Sequence, residues 1–145
     1  MVLFRILLVD DDKNILRMLQ VFFEAAGISV FCVYRGKDAV KAFKESPFDM
    51  VITDLNMPEM DGLETAKNIR LLNHEVPIIM MTGSSDLPKN MMDYGISQIF
   101  VKPFSFKGML SAAIYEMEKR KNKNTPRREW DGGHHTRFVL HQAAQ

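Results

Sequence analysis

The sequence predicts an α/β protein in which a five-stranded parallel sheet carries helices on both faces. Short apolar segments alternate with amphipathic segments along residues 2–118, and polar residues follow the apolar segments where they end. Strands buried on both faces are near-continuous apolar runs, and regular alternation of strands with helices favours one open sheet with right-handed crossovers. A length of 145 residues fits one such domain.

The first half of the chain contains three predicted strand–helix pairs. Residues 2–9 form an apolar run, and apolar residues then recur at helical spacing as far as Gly27, a typical helix end. Residues 28–34 and 49–53 are the second and third predicted strands. The helices after them are indicated by apolar stripes at Ala39, Ala42 and Phe43 and at Leu63, Ala66 and Ile69.

The second half repeats the pattern with a weaker fourth helix. Residues 76–81 and 99–101 are the fourth and fifth predicted strands, and a last amphipathic helix begins at Ser105. Between these strands, residues 87–94 carry little helical periodicity and include Pro88. We therefore expect the fourth helix to be short or irregular.

The charge distribution divides the chain into a body and a tail. Residues 1–118 hold 12 Lys/Arg against 16 Asp/Glu, whereas residues 119–145 hold 7 against 2. The tail is polar and is interrupted by Pro126 and Gly132-Gly133. We predict a globular domain over residues 1–122 and a basic, disordered tail over residues 123–145.

Composition also sets expectations for the compartment. A single cysteine, Cys32, excludes an internal disulfide and fits a reducing environment. The first apolar run leads directly into acidic residues without a cleavage site, and no stretch approaches the roughly 20 apolar residues that span a bilayer. We expect a cytoplasmic protein without a membrane segment.

Polar residues follow four of the five predicted strands. They are Asp10, Asp11 and Asp12 after the first strand, Asp54 after the third, Thr82 after the fourth and Lys102 after the fifth. Open parallel sheets bind ligands at the carboxyl ends of their strands. Carboxylates gathered there repel one another unless a proton or cation compensates, and oxygen ligands suit Mg²⁺ beside a phosphate. The rim is therefore predicted to bind Mg²⁺ and a phosphoryl group.

The motifs LLVDDD, TDLNMPEMDG, IIMMTG and FVKPF, in this order and spacing, resemble the signature of receiver domains from two-component response regulators, the CheY-like superfamily. The resemblance covers about residues 3–118. It implies a doubly wound, flavodoxin-like sheet with strand order 2-1-3-4-5. It also implies a signalling domain, not an enzyme in the usual sense, which accepts a phosphoryl group and slowly dephosphorylates itself.

The resemblance assigns a role to each residue of the rim. Asp54 is the phosphoacceptor, Thr82 the switch hydroxyl and Lys102 the phosphoryl-binding lysine. Mg²⁺ is held directly by Asp11, Asp54 and the backbone carbonyl of Asn56, with Asp10 acting through water, while Asp12 only caps a helix. The Lys102–Pro103 peptide bond is expected to be cis.

The implied partners are a sensor histidine kinase or phosphotransfer protein and a downstream protein target. A homodimer through the fourth helix, fifth strand and fifth helix is left open. Family members usually place an aromatic ring three residues before the lysine, where this chain has Ile99. Phe100 lies on the opposite strand face and cannot replace it, so the usual aromatic switch is not expected.

Two other functions fit parts of the sequence. A haloacid dehalogenase-type phosphohydrolase would use Asp10 as nucleophile with Asp12, Thr82 and Lys102, but it needs a further acidic pair at a later strand end. A nucleic-acid binder would use the basic residues Lys119, Arg120, Lys121, Lys123, Arg127 and Arg128. Such a charge run is more often a solvated face, and we do not expect nucleic-acid binding.

Simple structural roles must be weighed for single residues as well. Asp10–Asp12 could be a solvated loop with a helix cap, Asp54 a turn former, and Lys102 an ordinary solvated lysine. The arrival of all of them at one rim favours the functional interpretation.

Overall fold

The computed structural model describes residues 3–123 and 139–141. In this part of the chain, six parallel strands form one sheet in the order β2-β1-β3-β4-β5-β6. The strands are β1 Arg5–Val9, β2 Ser29–Val33, β3 Met50–Asp54, β4 Ile78–Thr82, β5 Gln98–Val101 and β6 Val139–His141. The helices are α1 Lys13–Ala25, α2 Gly36–Glu45, α3 Gly62–Leu72 and α4 Phe106–Lys123, with a 3₁₀ helix at Met91–Tyr94.

The first five strands have the predicted order 2-1-3-4-5, which confirms the predicted fold class. The sixth strand was not predicted, because three residues are too few to give a periodic pattern. It falls within the predicted tail, 123–145. The rest of that segment beyond Lys123 lies outside the described residues, and its predicted disorder stays a prediction.

Side chains of the central strands alternate between two apolar layers. In β1, Ile6 and Leu8 pack with α1 and α4, whereas Leu7 and Val9 pack with α2, α3 and the 3₁₀ helix. β3 and β4 are buried along their whole length. The alternation follows from the two-residue period of a strand. Because the strands are parallel, their carboxyl ends lie at one edge of the sheet.

Local interactions start the helices beside this edge. Asp12 caps α1, because its carboxylate accepts a hydrogen bond of 2.9 Å from the Asn14 N–H, as predicted. Asp61 caps α3 in the same way through the Glu64 N–H at 2.8 Å. Gly62 is required next to it, since a Cβ there would collide with the backbone carbonyl of Asp54.

The segment before β5 is short and is held by one arginine. The 3₁₀ helix Met91–Tyr94 has only four residues, which confirms the expectation of a short fourth helix. The Arg70 guanidinium of α3 donates to the carbonyls of Tyr94 at 2.7 Å and Val76 at 2.6 Å. Gly95 then adopts a left-handed conformation with φ 65°, which glycine accepts at little cost.

Among the described helices, none is both long and apolar enough to cross a membrane.

Candidate functional site

Two buried carboxylates lie side by side at the carboxyl edge of the sheet. Val9 of β1 pairs with Thr53 of β3, so the next residues, Asp10 and Asp54, are neighbours. Asp10 is 0% exposed and Asp54 is 4% exposed. Exposed Asp11 joins them, and carboxylate oxygens of the three residues lie within 4.8 Å of one another. The structure thus brings together the three predicted acidic residues.

Lys102 reaches this acidic cluster from the end of β5. Its Nζ donates a 2.8 Å hydrogen bond to Asp10 Oδ2 and lies 3.5 Å from Asp54 Oδ1. The Lys102 N–H also donates to the carbonyl of Thr82 at 2.7 Å. The Lys102–Pro103 bond is cis, as predicted. One ammonium group therefore contacts both buried carboxylates.

Burial dominates the electrostatics of the cluster. Burial, and after it the charge of Asp10, raises the pKa of Asp54 to about 6 against the opposing effect of Lys102. Burial likewise raises the pKa of Asp10, although the hydrogen bond from Lys102 opposes this. Burial alone would lower the pKa of Lys102, but the carboxylates outweigh it and the net shift is upward. The cluster thus has an excess of negative charge, and a further cation would lower the free-energy cost of ionising its carboxyl groups.

The Thr82 hydroxyl is engaged by the loops beside the cluster. The Asn56 side-chain amide donates to Thr82 Oγ1 at 3.2 Å, and the Ser84 N–H donates to it at 3.1 Å. The hydroxyl itself donates to the Ser84 carbonyl at 3.2 Å. To contact a group attached to Asp54, Thr82 would have to give up these bonds. The hydrogen bond from the Asn56 side chain to Thr82 was not predicted, because it depends on a rotamer that no motif specifies.

Ile99 and Phe100 lie on opposite faces of β5. Ile99 is fully buried in the layer that contains Met80 and Met91. Phe100 belongs to the other layer, where its ring meets Phe104 with centroids 5.6 Å apart. Neither residue offers a surface ring beside Thr82, in agreement with the expectation from strand periodicity.

The geometry disfavours the hydrolase interpretation. Asp12 would have to face the substrate as the second acid, yet its carboxylate binds the Asn14 N–H at the start of α1. Among the described residues, the grouping of three potential metal ligands is Asp10, Asp11 and Asp54. The later acidic pair of such enzymes has no counterpart in that grouping.

Comparison with known proteins identifies the family. Residues 6–114 match the family model of the response regulator receiver domain. The transcriptional regulatory protein ZraR of Salmonella typhimurium is 37% identical over 103 residues, which cover 70% of this chain and 23% of ZraR. The response regulator ArlR of Staphylococcus saprophyticus is 30% identical over 122 residues, 83% of this chain and 55% of ArlR. The chain thus spans about half or less of these curated relatives.

Solved structures agree with this assignment. The chemotaxis protein CheY4 of Vibrio cholerae is 29% identical, with a TM-score of 0.73 over 79% of this chain and 98% of CheY4. A CheY-like receiver domain protein of Methanospirillum hungatei shares the fold with a TM-score of 0.81 at 23% identity, over 85% of this chain and 100% of that one. The chain belongs to the response regulator receiver domains of two-component systems.

Proposed function

We propose that this receiver domain accepts a phosphoryl group on Asp54 from a phosphohistidine of a sensor histidine kinase or phosphotransfer protein. The observation that carries the proposal is the position of the Asp54 carboxylate, buried at the end of β3 with Lys102 Nζ at 3.5 Å and two further carboxylates beside it. A carboxylate that is desolvated next to an ammonium group is suited to attack a phosphorus atom whose oxygens the ammonium attracts.

The transfer balances as an in-line displacement. An oxygen of the Asp54 carboxylate forms a bond to phosphorus while the phosphorus–nitrogen bond of the phosphohistidine breaks. The bonding electrons return to the imidazole nitrogen of the partner. Lys102 pairs with an oxygen of the transferred group. Because the pKa of Asp54 is about 6, its carboxylate is mostly ionised at neutral pH and can act as the nucleophile.

Magnesium fits the donor set of the site. Three carboxylates converge there with only one ammonium group close by. A divalent cation would compensate the remaining negative charge. Asp11, Asp54 and the backbone carbonyl of Asn56 would hold the ion directly, and Asp10 would act through water. When bound, the ion supplies charge that neutralises the phosphoryl oxygens.

Thr82 is the residue that would report phosphorylation to the rest of the domain. Its hydroxyl would leave Asn56 and Ser84 to donate to a phosphoryl oxygen, and the loop after β4 would follow. The 3₁₀ helix, β5 and α4 form the adjacent surface, which would then bind a downstream protein or a second copy with altered affinity. Slow hydrolysis of the aspartyl phosphate would reset the domain in the cytoplasm. The curated relatives extend far beyond the matched segment, and transcriptional regulation is named for those whole proteins.

Intact-mass measurement tests the proposal. Incubation with acetyl phosphate and Mg²⁺ should add one phosphoryl group to the wild type and none to Asp54→Asn. Asp86→Asn, which removes the same charge from an exposed loop, is the matched control and should be labelled like the wild type. Labelling that persists in Asp54→Asn and is lost in Asp10→Asn would instead support the phosphohydrolase.

A further inference from the structure

Helix α1 carries apolar residues on its outer side as well as on the side that faces the core. The inner side is buried through Leu16, Leu19 and Phe23. The outer side carries four exposed apolar residues at helical spacing, which we call the α1 stripe: Met18, Val21, Phe22 and Ala25. Met18 is 53% exposed, Val21 65% and Phe22 39%. The outer side of a surface helix is normally polar, so packing within the domain does not account for the stripe.

The apolar surface continues from the stripe onto the start of α4. The ring centroids of Phe22 and Phe106 lie 6.1 Å apart, and those of Phe106 and Phe104 lie 5.7 Å apart. Phe104 and Phe106 are only partly buried. A contiguous exposed apolar surface of this kind marks an interaction site.

Two opposite charges border the stripe along one side. Arg17 and Glu24 are both exposed and stand seven residues apart, so they lie two turns apart on the same side of α1, next to Val21. Neither takes part in an ion pair within the described part of the chain. The Gln20 side-chain amide donates to Glu24 Oε1 at 3.0 Å, which holds the carboxylate on this side of the helix. One cation and one anion thus border the stripe at nearly equal distances from its centre.

A second copy of α1, packed antiparallel, matches both the stripe and its charges. In a two-fold interface the same surface patch of each copy faces the other. Arg17 lies four residues before Val21 and Glu24 three residues after it. A two-fold axis at Val21 therefore brings Arg17 of each copy level with Glu24 of the other, to within about 1.5 Å along the helix axis. A parallel pair would instead place like charges side by side, so the charges favour an antiparallel second copy as the occupant.

We propose that the α1 stripe is a self-association surface, on which a second copy of this protein packs its own α1 in antiparallel orientation. The 13 residues of α1 span about 20 Å. The contact is therefore small, and the dimer belongs to the weak, transient class. The proposal goes beyond phosphorylation of Asp54 and does not rest on it, because it uses only the exposure and the charges of α1.

Charge exchange across the two-fold axis in the full-length protein tests the proposal. Arg17→Glu and Glu24→Arg each turn two attractive pairs into two repulsive ones, so each variant alone should self-associate about tenfold more weakly than the wild type. A mixture of the two variants restores both attractive pairs and should associate about as tightly as the wild type. The double variant should do the same. Sedimentation equilibrium over about 0.01–1 mM protein measures these affinities, and melting temperatures show that each variant is folded.

Two further variants locate the surface. Val21→Glu places two carboxylates at the axis and should weaken association about tenfold or more. Lys67→Glu reverses an exposed charge on α3, which packs on the other face of the sheet, and as the matched control should associate like the wild type. The proposal would be overturned by a wild type that stays monomeric throughout this range, in which case the occupant is a different protein. Unchanged association of Val21→Glu, or a mixture that associates no better than its components, would overturn it as well.

Discussion

Replacement of Asp54 by asparagine should stabilise this protein at neutral pH when Mg²⁺ is absent. The side chain is 6% exposed, and its pKa rises from 3.8 to about 6 in the folded state. At pH 7.5 the folded protein therefore holds an ionised carboxylate in a site that stabilises the charge less well than water does in the unfolded chain. Asparagine has nearly the same shape without the charge. The substitution thus removes the free-energy cost of burying the charge of Asp54, and the folded state becomes more stable.

The magnitude follows from the pKa shift. A difference of about 2 units corresponds to about 3 kcal/mol, at about 1.4 kcal/mol per unit. Because the folded-state pKa is raised, the wild type has its full stability from this group below pH 3.8 and loses it as pH rises through about 6. The advantage of Asp54→Asn should accordingly be small at pH 4 and reach its plateau of about 3 kcal/mol above pH 7.

Urea unfolding in the presence of a chelator measures this difference. Asp86→Asn makes the same change in net charge at an exposed loop position and should leave the free energy of unfolding nearly unchanged. Saturating Mg²⁺ should stabilise the wild type more than Asp54→Asn and so narrow the gap between them. If Asp54→Asn were no more stable than the wild type at pH 7.5 without Mg²⁺, the argument from burial and charge would be wrong.

Three more predictions concern the chemistry and the switch. Asp11→Asn should weaken Mg²⁺ binding about tenfold or more by titration calorimetry, since it removes one direct ligand; undiminished affinity would place the ion elsewhere. Mg²⁺ affinity should fall about tenfold between pH 7 and pH 5, because a proton competes with the ion for Asp54, whose pKa is about 6 without metal; an affinity that does not change with pH would refute the role of Asp54 as an ionised ligand of the ion. Thr82→Ala should uncouple partner binding from phosphorylation and leave labelling largely intact, whereas Ile99→Val, which trims one methylene from a buried side chain, should do little. The opposite ranking in partner affinity would move the switch to position 99.

Most of the fold could be predicted because each central strand is a separate apolar run that ends at a polar residue. β1 ends before Asp10 and β3 ends at Asp54, so parallel pairing alone brings these residues to one edge. The opposite faces of Ile99 and Phe100 also follow from the period of a strand. These features depend on local sequence and on the regular geometry of strands, so they can be predicted without knowledge of tertiary contacts.

The features that could not be predicted from the sequence depend on tertiary contacts. The bond from the Asn56 amide to Thr82 joins two loops and is set by rotamers. β6 has three residues and forms only against an edge that the rest of the sheet provides. The pKa of Asp54 depends on how deeply the neighbouring loops bury it, which composition and spacing do not specify.

Chemical identification of the phosphorylated residue distinguishes Asp54 from Asp10. Borohydride reduces an aspartyl phosphate to homoserine, a stable mark that peptide mass spectrometry can locate. After phosphorylation by acetyl phosphate and Mg²⁺, or by a cognate kinase, homoserine should appear at position 54 and nowhere else. Homoserine at position 10, or none at position 54 in a protein that carries phosphate, would show that Asp54 is not the phosphoacceptor.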